Sequence, residues 1–165
     1  MLDVYLKLLE QDYFELGEAF KGLADENVWK RPAEGLLSVG ELAGHIAYWE
    51  AIRLAGEGED LAKCKVASPL IDPRFRYYTT TIATPPSEQH LAMTAEQVHG
   101  ELVRIHEESL AHFKAVNPDL GNAAPDLPGN FTYGAQLEYL VFHIAYHTGQ
   151  MYSARHLLGE EPPDN

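Results

Sequence analysis

Apolar residues recur at three- and four-residue intervals in four separate segments, and this pattern narrows the possible folds more than any other feature. From Leu2 to Leu23, the residues Leu2, Tyr5, Leu9, Tyr13, Leu16, Phe20 and Leu23 share one helical stripe. A second segment opens at Ser38, where Ser38-Val-Gly-Glu41 has the form of a capping box: hydroxyl and carboxylate reciprocally satisfy orphan amides. Its stripe is Val39, Leu42, Ile46, Trp49 and Ile52, and it stops at Gly56. The third segment has a similar cap at Thr94-Ala-Glu-Gln97 and continues to Val116, where Asn117-Pro118 closes it. The fourth follows a Pro and Gly cluster at 125–129. It takes Thr132 as N-cap, carries Leu137, Leu140, Ile144 and Met151 on its face, and ends before Gly159. Four such segments predict an all-α four-helix bundle in a single domain spanning 1–165.

The second and third helices are joined by the stretch 61–91, long for a compact domain and rich in proline and aromatics. Its Ile71, Phe75, Tyr77, Tyr78 and Ile82 need a surface to pack on, which predicts an ordered crossover with a short helix near 59–65. Only Tyr77–Ile82 has β-propensity, and one strand makes no sheet. The polar tail 160–165 is expected to fray.

Composition removes several functional classes. With 25 acidic against 12 basic residues, the net charge of −13 opposes a nucleic-acid partner. No run reaches the roughly 18 apolar residues of a membrane span. The N-terminal residues lack the basic flank and apolar core of a secretory leader, so a cytoplasmic location is expected. The one cysteine, Cys64, excludes an internal disulfide and a Cys-rich zinc site, and reads as a passive thiol.

Eight histidines are many for this length, and their positions carry the chemistry. His143 and His147 lie about 40° apart on a helical wheel, one turn above the other, near Leu140. His45 lies about 40° from Trp49 on the second helix, so it also faces inward. A buried imidazole can simply be a satisfied core group. Three of them from two helices bring six ring nitrogens that need partners, which favours a divalent metal. Three protein donors also leave room for water or substrate, as in catalytic rather than structural sites. His99 and His106 fall off the third stripe and are expected on a solvated flank, with His90 and His156 at the surface. His112 borders that stripe as a candidate extra ligand.

These motifs carry a resemblance. Trp29-Lys-Arg-Pro, then Ser38-Val-Gly-Glu-Leu-Ala-Gly-His45-Ile, His143-Ile-Ala-Tyr-His147-Thr-Gly-Gln150 and the closing Leu157-Leu-Gly159-Glu-Glu-Pro-Pro resemble the DinB-like (YfiT-related) superfamily of metal-dependent enzymes. The similarity runs along the chain except for 60–92; Thr148 stands where an arginine is frequent. The resemblance implies a bundle with long crossings and one divalent ion held by His45, His143 and His147. It also implies thiol-dependent chemistry of the kind seen in bacillithiol S-transferases and mycothiol-dependent maleylpyruvate isomerases, and a homodimer.

The expected function is thus a divalent-metal-dependent enzyme acting on a small molecule. It would be a hydrolase or a low-molecular-weight-thiol S-transferase, with metal-activated water or thiolate as nucleophile. Zinc or nickel is the expected ion, with iron or manganese as alternatives. Gln150 is expected to face the open site, and Glu50 to serve as general base or to pair with Arg53. Glu41 is expected to cap its helix or to orient His45, Trp49 to wall the site, and Arg74 and Arg76 to roof it. The rival reading is a non-catalytic metal-binding stress-response module, in which the ion only staples the bundle.

Overall fold

The computed structural model describes residues 2–125 and 131–163. Among them all regular structure is helical, apart from one isolated antiparallel bridge between Ala123 and Thr132. The order is α1 (Leu2–Phe20), α2 (Asp25–Val28), α3 (Val39–Ala55), α4 (Tyr78–Ala83), α5 (Glu88–Leu91), α6 (Ala95–Val116) and α7 (Tyr133–Leu157). The long helices α1, α3, α6 and α7 form the expected bundle, and none of the helices is long and apolar enough to cross a membrane. Both predicted capping boxes form, Ser38 with Glu41 and Thr94 with Gln97, and the Thr132 hydroxyl accepts from the Ala135 amide. Helix α1 stops at Phe20 rather than Leu23, because Gly22 takes φ 71° and turns the chain.

Helix α3 is the hub, packed on α6, α7 and the crossover. All its residues are buried except His45, Trp49 and Arg53. Fully enclosed side chains such as Leu9, Leu16, Ile46, Leu102, Ile105 and Ile144 supply the core, each worth about 1.5–3 kcal/mol of burial. Helix α1 lies along α7 and touches α6 more lightly, leaving an open groove between α1 and α6.

The crossover is ordered and more helical than expected. A 3-10 turn at Leu61–Lys63 fills the place of the predicted short helix, and a second follows at Pro73–Phe75. The Tyr-Thr run forms α4 despite its β-propensity, because Thr81 is buried and its hydroxyl reaches the carbonyls of Arg74 and Tyr77. Tertiary packing overrides the local preference here. Arg31 ties the segment between α2 and α3 to the crossover: it chelates the buried Glu41 carboxylate and donates to the carbonyls of Thr81 and Ile82.

Two expectations are corrected. His90 is buried, not at the surface: its Nε2 donates to the Pro69 carbonyl at 2.7 Å while its Nδ1 accepts from the Ser87 amide. The tail is not frayed at its start, since Glu160 accepts from Arg155, Asn27 and the Ala24 amide, and Pro162 is buried. Of the Pro and Gly cluster at 125–129, only Pro125 lies within the described residues.

Candidate metal centre

His45, Trp49 and Arg53 are spaced by four residues, so the one open stripe of α3 is a column of three side chains. This stripe faces α7 and the crossover, and His45 stands at its first position. Its ring centroid lies 4.9 Å from that of His143 and 4.6 Å from that of His147. The candidate ligand atoms of the three histidines lie within 4.8 Å of one another.

The nitrogens suit a shared ion. Two imidazoles bound at about 2.0–2.1 Å in tetrahedral or octahedral geometry hold their donor atoms about 3–3.4 Å apart. His45 Nε2 and His143 Nε2 are 3.1 Å apart. The hydrogen-bond partners also set the tautomers. His45 Nδ1 lies 2.6 Å from the Phe75 carbonyl, which can only accept, so this nitrogen carries the proton and Nε2 keeps its lone pair. His147 Nδ1 donates to Gln150 Oε1 at 2.6 Å and frees its Nε2 in the same way. His143 Nδ1 is buried with no hydrogen-bond partner. Three imidazoles satisfy one another poorly as core groups, whereas as a donor set two of them already have the second ring nitrogen held, by Phe75 and Gln150.

Electrostatics agree. Burial, and then the neighbouring imidazoles, push His143 down to about 2. Burial and His45 bring His147 to about 4, against a smaller upward pull from Gln150. Burial also lowers His45, opposed by its bond to the Phe75 carbonyl. All three are therefore neutral at pH 7, the form that ligates.

The triad opens into a cavity of about 450 Å³. Its walls are Trp49 and Arg53 from α3, Arg76 and Tyr77 from the crossover, and Tyr139, Phe142 and Tyr146 from α7. Trp49 walls the site as expected and donates to the Arg76 carbonyl at 2.7 Å, fastening the crossover over the stripe. Of the two arginines expected as a roof, Arg76 lines the cavity, whereas Arg74 turns to Asp72 and the Pro85 carbonyl.

Several expected roles shift. Glu50 neither pairs with Arg53 nor lines the cavity. It is fully buried between α1 and α6, bound to the Tyr13 hydroxyl and to His106 Nδ1 at 2.6 Å. Its Cα lies about 140° around α3 from that of His45, which turns it to the opposite side. His106 is therefore not on a solvated flank; it is buried and stacked on Tyr13 at 3.8 Å. Asp12, nearby, is pushed up to about 7 by burial and by the charge of Glu50. Gln150 touches the site through His147 rather than from the cavity wall. Glu41 caps α3 and binds Arg31, not His45. His99 is half-buried against Phe20, and His112 lines a separate small cavity. Cys64 is half-buried, its thiol pushed up by burial and bonded weakly to the Ala51 carbonyl.

The Phe75 carbonyl, which no side-chain pattern could reveal, was missed from the sequence. Arg53 could have been found, because the 45/49/53 spacing is visible without coordinates.

Comparison with known proteins gives one family. The DinB superfamily matches residues 8–151. No curated protein and no solved structure matches. The family match takes in the triad, all of α3 and α6 and most of α1 and α7, and the chain belongs to the DinB superfamily.

Proposed function

We propose that the protein is a divalent-metal-dependent enzyme acting on a small molecule, of the hydrolase or low-molecular-weight-thiol transferase type. One observation carries the reading: three neutral imidazoles converge on an aromatic-walled cavity, and among the described residues no fourth protein ligand closes them off. His45, His143 and His147 would hold the ion. A divalent ion there supplies Lewis acidity, which lowers the pKa of water or of a thiol toward neutrality.

The chain's own residues do the rest. Phe75 and Gln150 fix the ring tautomers, so that no proton has to be expelled from Nε2 of His45 or His147 before binding. The crossover, fastened by Trp49, keeps bulk water off one side of the cavity. Gln150 acts by holding His147, and Glu50 is reassigned to structural support of the α1–α3–α6 contact. The net charge of −13 supports a small-molecule partner over a nucleic acid.

The test is to load the full chain with zinc or nickel and assay a panel of electrophiles, with and without small thiols. Turnover that requires the ion and disappears in His147→Ala supports the proposal. Stoichiometric metal binding with no turnover on any electrophile would favour the passive stress-response module.

A further inference from the structure

The metal reading leaves the other part of the same cavity unexplained, where two guanidinium groups sit in a chain of net charge −13. Arg53 lies with its guanidinium carbon 4.8 Å over the Trp49 ring, and Arg76 lies 4.9 Å over Tyr77. Both line the cavity together with the triad. No carboxylate does so among the described residues. One acidic side chain, Glu59, serves both: it pairs with Arg53 at 3.5 Å and hydrogen-bonds Arg76, and it stands outside the cavity wall. Two cations against one anion leave a positive charge over. Arg76 Nε is buried without a hydrogen-bond partner.

We infer that this part of the cavity binds the anionic group, a carboxylate or a phosphate, of a substrate whose flat apolar body lies against Trp49, Tyr77 and Tyr139. A guanidinium whose face is covered by an aromatic ring keeps its in-plane N–H donors for a planar or tetrahedral anion. Glu59 holds both guanidinium groups in place, so their ordering is achieved before the ligand arrives. Burial lowers the pKa of Arg53 despite Glu59, which marks a cation short of solvation that an arriving anion would supply. Column geometry sets the direction of the ligand. His45, Trp49 and Arg53 are successive turns of α3, so a molecule lying along Trp49 has the imidazoles at one end and Arg53 at the other, about two turns or 12 Å apart along the helix. The role of the imidazole end rests on the proposed catalytic reading; the anion end stands without it.

The test uses the full chain stripped of metal with a chelator and then exchanged into chelator-free, metal-free buffer, so that neither a metal nor the chelator competes for the anion. Phenylacetate, phenyl phosphate and the uncharged phenylacetamide are titrated by calorimetry. Both anions, or one of them, should bind at least about tenfold more tightly than the amide, and Arg53→Gln and Arg76→Gln should each weaken binding about tenfold or more. The order of the two anions distinguishes carboxylate from phosphate recognition. Glu59→Gln, which frees both guanidinium groups, should tighten anion binding, and it serves where an arginine variant fails to fold. Equal binding of the amide, no anion binding, or an affinity unchanged in the folded variants would overturn the inference. A parallel zinc titration keeps the two readings apart. Anion selectivity without zinc binding would defeat the catalytic proposal alone, and zinc binding without anion selectivity would defeat this one alone.

Discussion

Replacing Gly44 by alanine probes whether the crossover orients the metal site. A Cβ at Gly44 would lie 2.5 Å from Phe75 Cδ2 and 2.7 Å from Phe75 Cγ. The clash reaches the base of the ring as well as its edge, so a χ2 rotation cannot relieve it and Phe75 must move as a unit. Phe75 is fully buried, and its carbonyl holds His45 Nδ1 at 2.6 Å. Overpacking of this kind costs about 1–3 kcal/mol, and the gain in helix propensity returns about 1 kcal/mol. The net loss is roughly 1 kcal/mol, or a fall of about 2–4 °C in Tm for a chain of this size. The larger effect should fall on the metal: loss of a group that orients a ligating imidazole typically weakens affinity about 10- to 100-fold. Affinity is read by competition with a chromophoric chelator, and stability by thermal melting of the chelated protein. Gly100→Ala is the control, because nothing lies within 4 Å of its new Cβ and it should leave metal affinity unchanged. Wild-type zinc affinity in a destabilised Gly44→Ala protein would refute the link from Phe75 to His45.

Gln150→Ala should weaken zinc binding about tenfold or more by releasing His147 Nδ1, with little change in the Tm of the chelated protein, because Gln150 is only half-buried. Glu50→Gln should cost about 1–3 kcal/mol in chemical denaturation by disturbing the Tyr13 and His106 contacts, yet leave zinc stoichiometry intact; lost zinc binding would return Glu50 to the metal site. Acidification should destabilise the chelated protein. The folded state keeps His143 near 2 and His147 near 4. The unfolded chain takes up protons below about 6.5, so each imidazole lowers stability by up to about 1.4 kcal/mol per pH unit from there down to about pH 4. Asp12, raised to about 7, works in the opposite sense because the folded state binds its proton first. Asp12→Asn should therefore steepen the loss between pH 6.5 and 4.5, and a Tm that is flat with pH in both proteins would contradict the depressed imidazoles.

The four long helices and the triad were legible because a helix with one buried stripe writes its period into the sequence. Helix α3 and its partners show where that logic ends. The apolar period put Trp49 on the inner stripe with Val39 and Ile46, and only the enclosure of α3 on nearly every side shows that His45, Trp49 and Arg53 escape burial together. Glu50 and His106 were misplaced for a related reason. Each is off the apolar stripe of its own helix, and only the approach of Tyr13 from α1 makes a buried site where they meet. His90 was misread because its partners, Ser87 and the Pro69 carbonyl, belong to an irregular crossover with no period to read. The β-branched run at Thr79–Thr81 became helical because Thr81 could satisfy its hydroxyl inside the fold.

The central claim is a three-imidazole metal centre open toward a cavity. Zinc-edge X-ray absorption on the full chain loaded with one equivalent of zinc tests it most directly. The expected spectrum shows imidazole scattering from three rings at about 2.0–2.1 Å, together with at least one further light donor that is not imidazole. His45→Ala should remove one ring's contribution. A spectrum with fewer than three imidazoles, or one unchanged by His45→Ala, would contradict the account.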